Sequence, residues 1–235
     1  MHRYFINEFD GTNFYLRDEN FHHAKNVVRL KVDQEVVCIF NEEEFLSKIE
    51  QVNDDVVIAV MVKKILTVEK KYRVTLIVGI IREQKWDFVL QKATELGVDI
   101  IVPVIFKRNV VKIENKKMES KITRWKKICE DASEQSYKNA IPTIEPIVTN
   151  ILDLEKYKSD VNICCYELGS ETGLAKLYQN KNSFTFVVGP EGGFDEIEIE
   201  KFKNMKYEIV KFSKNILRAE TVPLYLLSTL MFNFE

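Results

Sequence analysis

Apolar positions change their rhythm once along the chain. Over roughly the first 65 residues they form short runs rich in β-branched and aromatic side chains: "RYFI", "FYL", "EVVCIF", "EFLSKIEQV" and "DVVIAVMVKKIL". Turn signals such as Asp10-Gly11 and Asn53-Asp54-Asp55 separate them, so each run predicts a strand. One short helix interrupts the series, beginning after Asn20 and carrying "HHAKNVVRL". Several short strands at this spacing predict a small barrel.

From residue 74 strands alternate with helices. "VTLIVGII", "DIIVPVIF", "VNICCYEL", "FTFVVG" and "YEIVKF" read as strands. After the first of them, Trp86, Val89, Leu90, Ala93 and Leu96 recur on one helical face, and Gly97 stops the helix. A long helix runs through "KITRWKKICEDASEQS", and a last one follows "NILRAET". Continuous apolar strands separated by helices predict an α/β fold with a parallel sheet covered on both faces. The charged stretch "TVEKKYR" at 67–73 marks the boundary, which leaves a barrel over 1–68 and a strand–helix domain over 72–235.

Composition adds exclusions. With 46% apolar and 30% charged residues the chain is globular, and a net charge of −2 gives no global attraction to nucleic acid. The four cysteines (Cys38, Cys129, Cys164, Cys165) show no CxxC spacing, and the three histidines lie far from them, so no metal site is expected. The N-terminus lacks a signal-peptide pattern, and the apolar run Leu224–Phe234 is too short to span a bilayer. These features predict a soluble cytoplasmic protein without a membrane partner.

Chemistry concentrates in two loops at strand ends. The first, Gly189-Pro190-Glu191-Gly192-Gly193, joins a strand to a helix. Such loops suit phosphate, but a P-loop needs Gly-Lys-Ser/Thr, and no lysine follows until Lys201. Asp195 is the expected N-cap, and Glu196, Glu198 and Glu200 follow it, so the loop suits a neutral or cationic ligand. A tight turn with a good cap explains the same residues. The second loop, "FSKNILRAET" at 212–221, offers Ile216 and Leu217 as an apolar surface, Arg218 as a cation and Glu220 as a carboxylate. Arg218 could equally cap carbonyls or pair with Glu220. Loops at the carboxyl ends of strands in an open α/β sheet can wall one pocket. The C-terminal half has no histidine and no GxGxxG, which argues against Ser-His catalysis and dinucleotide binding.

Between Phe106 and Lys127 nine Lys/Arg face two glutamates, and Lys117, Lys121 and Arg124 share one helical face. This is either an RNA-binding patch or an ordinary solvated face.

The runs "HRYFI", "HHAKNVVRLKVDQEV", "LQKATELGVDIIVPV", "RWKKICEDASEQS", "VVGPEGGF" and "ILRAET", in this order, make the chain similar to the RsmE-type 16S rRNA uridine-N3 methyltransferases of the SPOUT superfamily. The resemblance covers nearly the whole length. It implies an N-terminal PUA-like barrel, a C-terminal SPOUT methyltransferase domain with a trefoil knot, a homodimer, and 16S rRNA in the small ribosomal subunit as substrate. It also implies S-adenosylmethionine as cofactor, a cation without phosphate. On this reading Gly189, Pro190, Glu191, Gly192, Gly193, Ser213, Ile216, Leu217 and Arg218 hold the cofactor. Arg3, Arg29, Arg108, Lys117, Lys121, Arg124 and Lys138 face RNA. Arg218 stabilises the charge that develops on the uracil, and the base is a carboxylate such as Glu220, or solvent.

Three positions depart from the family pattern: Phe212-Ser213 stands for Leu-Gly, Arg108-Asn109 for Arg-Ser, and Tyr137-Lys138 for Gly-Arg. They leave two rivals in view, a SPOUT enzyme acting on ribose 2′-OH or another base, and an inactive RNA-binding module.

Overall fold

A computed structural model describes residues 1–66, 70–171, 173–211 and 213–234. Two compact units result, one formed by Met1–Glu69 with Glu134–Ala140 and the other by Lys70–Ser133 with Ile141–Glu235.

The first unit carries β1 (Arg3–Phe5), β2 (Asn13–Leu16), β3 (Glu35–Phe40), β4 (Glu43–Val52) and β5 (Val57–Ile65) in the order β1-β3-β4-β5-β2. Strand β1 runs parallel to β3 and the other pairs are antiparallel. The short edge strands β1 and β2 do not pair with each other, so the barrel is a half-closed one. Its inner face buries Tyr4, Phe14, Leu16, Cys38 and Ile49, and the stacked rings of Phe9 and Phe14 each touch Phe40 and Phe45. The helix α1 (Asp18–His22) starts three residues before the expected position and continues as a π-helical turn over His23–Val28. Arg29 ends it in the left-handed conformation, φ 58°.

The second unit is built on β6 (Arg73–Gly79), β7 (Ile100–Val104), β8 (Thr143–Ile144), β9 (Val161–Ser170), β10 (Ser183–Val188) and β11 (Glu208–Val210). All pair in parallel, in the order β11-β9-β10-β6-β7-β8. The reason these strands are apolar on both faces is visible in β10. Phe184, Phe186 and Val188 enter one core cluster, with Trp86, Leu90, Trp125 and Leu227, while Val187 enters the opposite one, with Phe106, Phe194 and Phe202. Helices α2 (Glu83–Glu95), α3 (Met118–Gln135) and α6 (Thr221–Phe234) cover the first face, and α5 (Glu196–Asn204) with a 3-10 turn at Ile151–Tyr157 covers the second; a short α4 (Leu174–Leu177) lies between β9 and β10.

Candidate functional site

Strand β10 ends at Val188, and the chain must turn at once to let α5 pack back on the sheet. Gly193 takes φ 67°, a left-handed value that a side chain disfavours. Gly192 meets a different demand: a Cβ there would lie 2.5 Å from the Arg108 carbonyl oxygen. The loop therefore rests on the segment after β7. Asn109 fixes that segment, with Oδ1 accepting from the Phe106 N–H at 3.0 Å and Nδ2 donating to the Ile80 carbonyl at 2.7 Å. The departure from the family pattern at Asn109 thus has a structural use.

The helix start behaves as its sequence predicts. Asp195 Oδ1 accepts from the Ile197 N–H at 3.2 Å, and Glu198 Oε2 accepts from the Asp195 N–H at 2.9 Å, a closed capping box. Glu198 is 6% exposed and also accepts from the Lys107 N–H, so it is committed to the scaffold. Hydrogen bonds from Lys107 and the Ile197 N–H hold the Asp195 carboxyl below its usual range.

The second loop reaches the same place from β11. Ser213 Oγ accepts from the Asn215 N–H at 3.1 Å, so the side chain that replaces the family's glycine closes this turn; Phe212 lies outside the described residues. The Arg218 carbonyl accepts from Thr221 and Val222 N–H at 2.8 and 3.2 Å, which seats residues 218–220 on the first turn of α6. Pro223, whose missing N–H does no harm in a first turn, is buried there.

The two loops enclose a single cavity of about 760 Å³, and all nine residues expected to hold the cofactor line it. Sequence reasoning missed its third wall, Cys165–Leu168 at the end of β9, and its floor, Val210 and Lys211. The strand order carries the signal for the third wall: β9 neighbours β10, and its carboxyl end opens on the same edge. Lys85, in the first turn of α2, was missed too. Its Nζ lies 3.2 Å from Glu191 and 3.1 Å from Glu220, one carboxylate from each loop. Burial pushes the Glu220 carboxyl up, but a backbone N–H, Lys85 and Arg218 together outweigh burial and hold it below its ordinary value. Hydrogen bonds to Glu220 and Glu191 raise the Lys85 ammonium above its own. Arg218 is exposed at the cavity rim, as is Ile216, while Leu217 is half-buried.

The residues expected to face RNA are placed unequally. Arg29 is exposed, and Lys138 is half-buried. Arg3 is 8% exposed and paired with Glu44 at 2.8 Å, and the Tyr137 ring lies over its guanidinium at 5.3 Å. Tyr137 takes φ 57° where the family pattern has glycine, and this contact helps offset the strain. Arg108 is exposed, 3.9 Å from Asp195. On α3, Arg124 makes a fork to Asp87, with Nη1 2.9 Å from Oδ1, and lies 3.1 Å from Glu83. Lys121 is 3.9 Å from Glu83 and Lys117 is 3.7 Å from Glu114. Acidic neighbours thus partly offset the basic face.

A family model for an RNA methyltransferase domain matches residues 68–231, and one for an RNA methyltransferase PUA domain matches residues 16–62. The ribosomal RNA small subunit methyltransferase E of Bacillus subtilis is 30% identical over 253 residues, covering 100% of this chain and 98% of that protein. Its counterpart in Mesomycoplasma hyopneumoniae is 29% identical, covering 97% and 98%. The structure of the Neisseria gonorrhoeae ribosomal RNA small subunit methyltransferase E bound to S-adenosylmethionine superposes with a TM-score of 0.89 at 26% identity, covering 99% of this chain and 97% of that one. A Legionella pneumophila methyltransferase in complex with the same cofactor gives 0.88 at 25%, covering 98% and 96%.

Proposed function

The chain belongs to the RNA methyltransferase family that contains the ribosomal RNA small subunit methyltransferase E proteins, and we propose that it transfers a methyl group from S-adenosylmethionine to N3 of a uridine in 16S rRNA. The observation that carries this reading is the convergence of both loops on one cavity at the carboxyl edge of the parallel sheet. The cavity suits the cofactor chemically. Glu167, Glu191 and Glu220 offer carboxylates to a cationic ligand, and Leu168, Val188, Val210, Leu217 and Val222 offer apolar surface to a flat ring. Relatives at 25–26% identity over nearly the whole chain hold that cofactor.

When bound, the cofactor supplies an electrophilic methyl carbon. The chain has to make N3 nucleophilic. N3 carries a weakly acidic imide proton, and its removal spreads negative charge to O2 and O4. Arg218, a permanent cation at the rim, stabilises that charge. Glu220 takes the proton; paired with Lys85 it is ionised at neutral pH, as a base must be. A depressed pKa also makes it a weak base, so the stabilisation by Arg218 carries much of the step.

RNA is held by Arg29, Arg108, Lys138, Lys117 in the 3-10 turn Asn115–Lys117, and Lys121 and Arg124 on α3. Glu83 and Glu114 are exposed, pairs with them are worth little, and phosphates can replace them, whereas half-buried Asp87 holds Arg124 in a two-bond fork. Arg3, paired with Glu44 and in contact with the Tyr137 ring, has no free charge to spare. The reading includes a homodimer acting on the small subunit in the cytoplasm, and sedimentation of the purified chain tests its mass. No helix among the described residues is long and apolar enough to cross a membrane. The function itself is tested by mass spectrometry of 16S rRNA nucleosides from cells with and without the protein. Loss of one 3-methyluridine is the expected result; loss of a 2′-O-methyl nucleoside, or no loss, would refute it.

A further inference from the structure

Lys85 belongs to neither loop motif, yet it is the group that joins them. It projects from the first turn of α2, and its neighbour Trp86 is 1% exposed and packed against Trp125 at 5.2 Å, so its backbone is fixed by the core. From there its ammonium reaches Glu191 on the β10 loop at 3.2 Å and both Glu220 oxygens on the β11 loop at 3.1 and 3.3 Å. Both carboxylates are poorly exposed, 19% and 15% at the side chain. Two carboxylates held within reach of one point would repel each other without a cation between them. Acidic residues elsewhere on α2 do not compete for this ammonium, since Glu83 and Asp87 are turned toward Arg124. The groups that act on Glu220 are Lys85 and Arg218, and those that act on Lys85 are Glu220 and Glu191.

We propose that Lys85 is a positioning residue that clamps the two loops of the cleft together through Glu191 and Glu220, and so sets where the Glu220 carboxylate stands relative to Arg218. The proposal rests on the methyltransferase reading for its role in the reaction, but not for the clamp itself. Because the clamp is ionic and the carboxylates titrate, it has a pH signature that mere side-chain packing lacks. Glu220 has a lowered folded-state pKa, so the stability it contributes is present above its unfolded pKa and lost as pH falls through the folded one. Removing Lys85 removes its share of that contribution at neutral pH and changes little once Glu220 is protonated.

The experiment compares wild type with Lys85→Met, Lys85→Arg, Glu191→Gln and the double variant K85M/E191Q, by thermal unfolding from neutral pH down through the carboxylate range. K85M should melt about 2–4 °C lower at neutral pH, and the deficit should close as pH falls. K85R should restore most of it. E191Q alone should cost less than K85M, and the double variant should recover part of the K85M deficit, because one repelling charge is gone. Calorimetric titration with S-adenosylhomocysteine at neutral pH should show K85M binding roughly tenfold more weakly and K85R close to wild type. A deficit independent of pH, a double variant equal to the sum of the singles, or K85R no better than K85M would overturn the clamp. If wild type gave no binding heat while the pH signature held, the methyltransferase reading would fall and the clamp would stand.

Discussion

The loops at 189–193 and 212–221 and the basic run that leads into α3 both stood out in the sequence, and the structure treats them differently. The loops, separated in sequence by α5 and β11, meet around one cavity with every expected residue on its wall. The basic residues of α3 and of the 3-10 turn before it are met by acids: Arg124 by Asp87 and Glu83 of α2, and Lys117, in the turn and not on the helix, by Glu114. A loop motif of glycines and a capping acid states its own geometry, because backbone conformation and cap are local. A run of charges states only half of an interaction, and the other half lies on another helix.

Four experiments stress this contrast. The largest effect belongs to Arg218. Its replacement by Ala should leave the chain folded and still able to bind cofactor through the other eight lining residues, and slow single-turnover methylation of a small-subunit particle at saturating cofactor by roughly 100- to 1000-fold. A fully active variant would take the arginine out of the mechanism. Next, Gly192→Val should weaken cofactor binding by at least about tenfold and destabilise the fold by about 1–3 kcal/mol. The cause differs from simple filling of the cleft: the new Cβ drives into the Arg108 carbonyl 2.5 Å away and displaces the loop. Wild-type affinity in calorimetry with a normal melting curve would refute the close approach. Glu220→Gln should be slow near neutral pH and partly recover as pH rises, when hydroxide removes the imide proton. Wild type should hold its rate until pH falls through the depressed Glu220 value, below the ordinary carboxylate range. Identical pH profiles for the two would exclude Glu220 as the base.

The smallest effect is expected on α3 and the turn before it. Replacing Lys117, Lys121 and Arg124 together by Ala should lower RNA affinity by only a few fold, about 0.5–1 kcal/mol, and flatten its salt dependence, since acids already offset these cations. Asp87→Asn, which frees Arg124, should act in the opposite direction. Unchanged RNA binding in both, measured by filter retention over a salt series, would remove this face from the interface.

Much of the fold was legible because local signals agreed with burial. Trp86, Val89, Leu90 and Ala93 are buried on α2 as their spacing requires, and Gly97 follows with φ 81°. Asp195 caps α5 as its position before an acidic turn suggests. Other features depend on distant parts of the chain. Among the described residues strand β11 covers Glu208–Val210 and pairs with β9 through an irregular register that its apolar run does not reveal. Residues Glu134–Ala140 pack with the N-terminal unit, where Tyr137 covers Arg3, although no composition change marks them. Lys85 gave no signal because its partners lie on two loops more distant in sequence than any periodicity reaches.

The central claim, that the two loops together form a cofactor site, is tested most directly by calorimetric titration of the wild-type chain with S-adenosylhomocysteine in the presence of a metal chelator. The account predicts saturable binding with one ligand per chain. No heat, or heat that returns only when a divalent metal is restored, would contradict it.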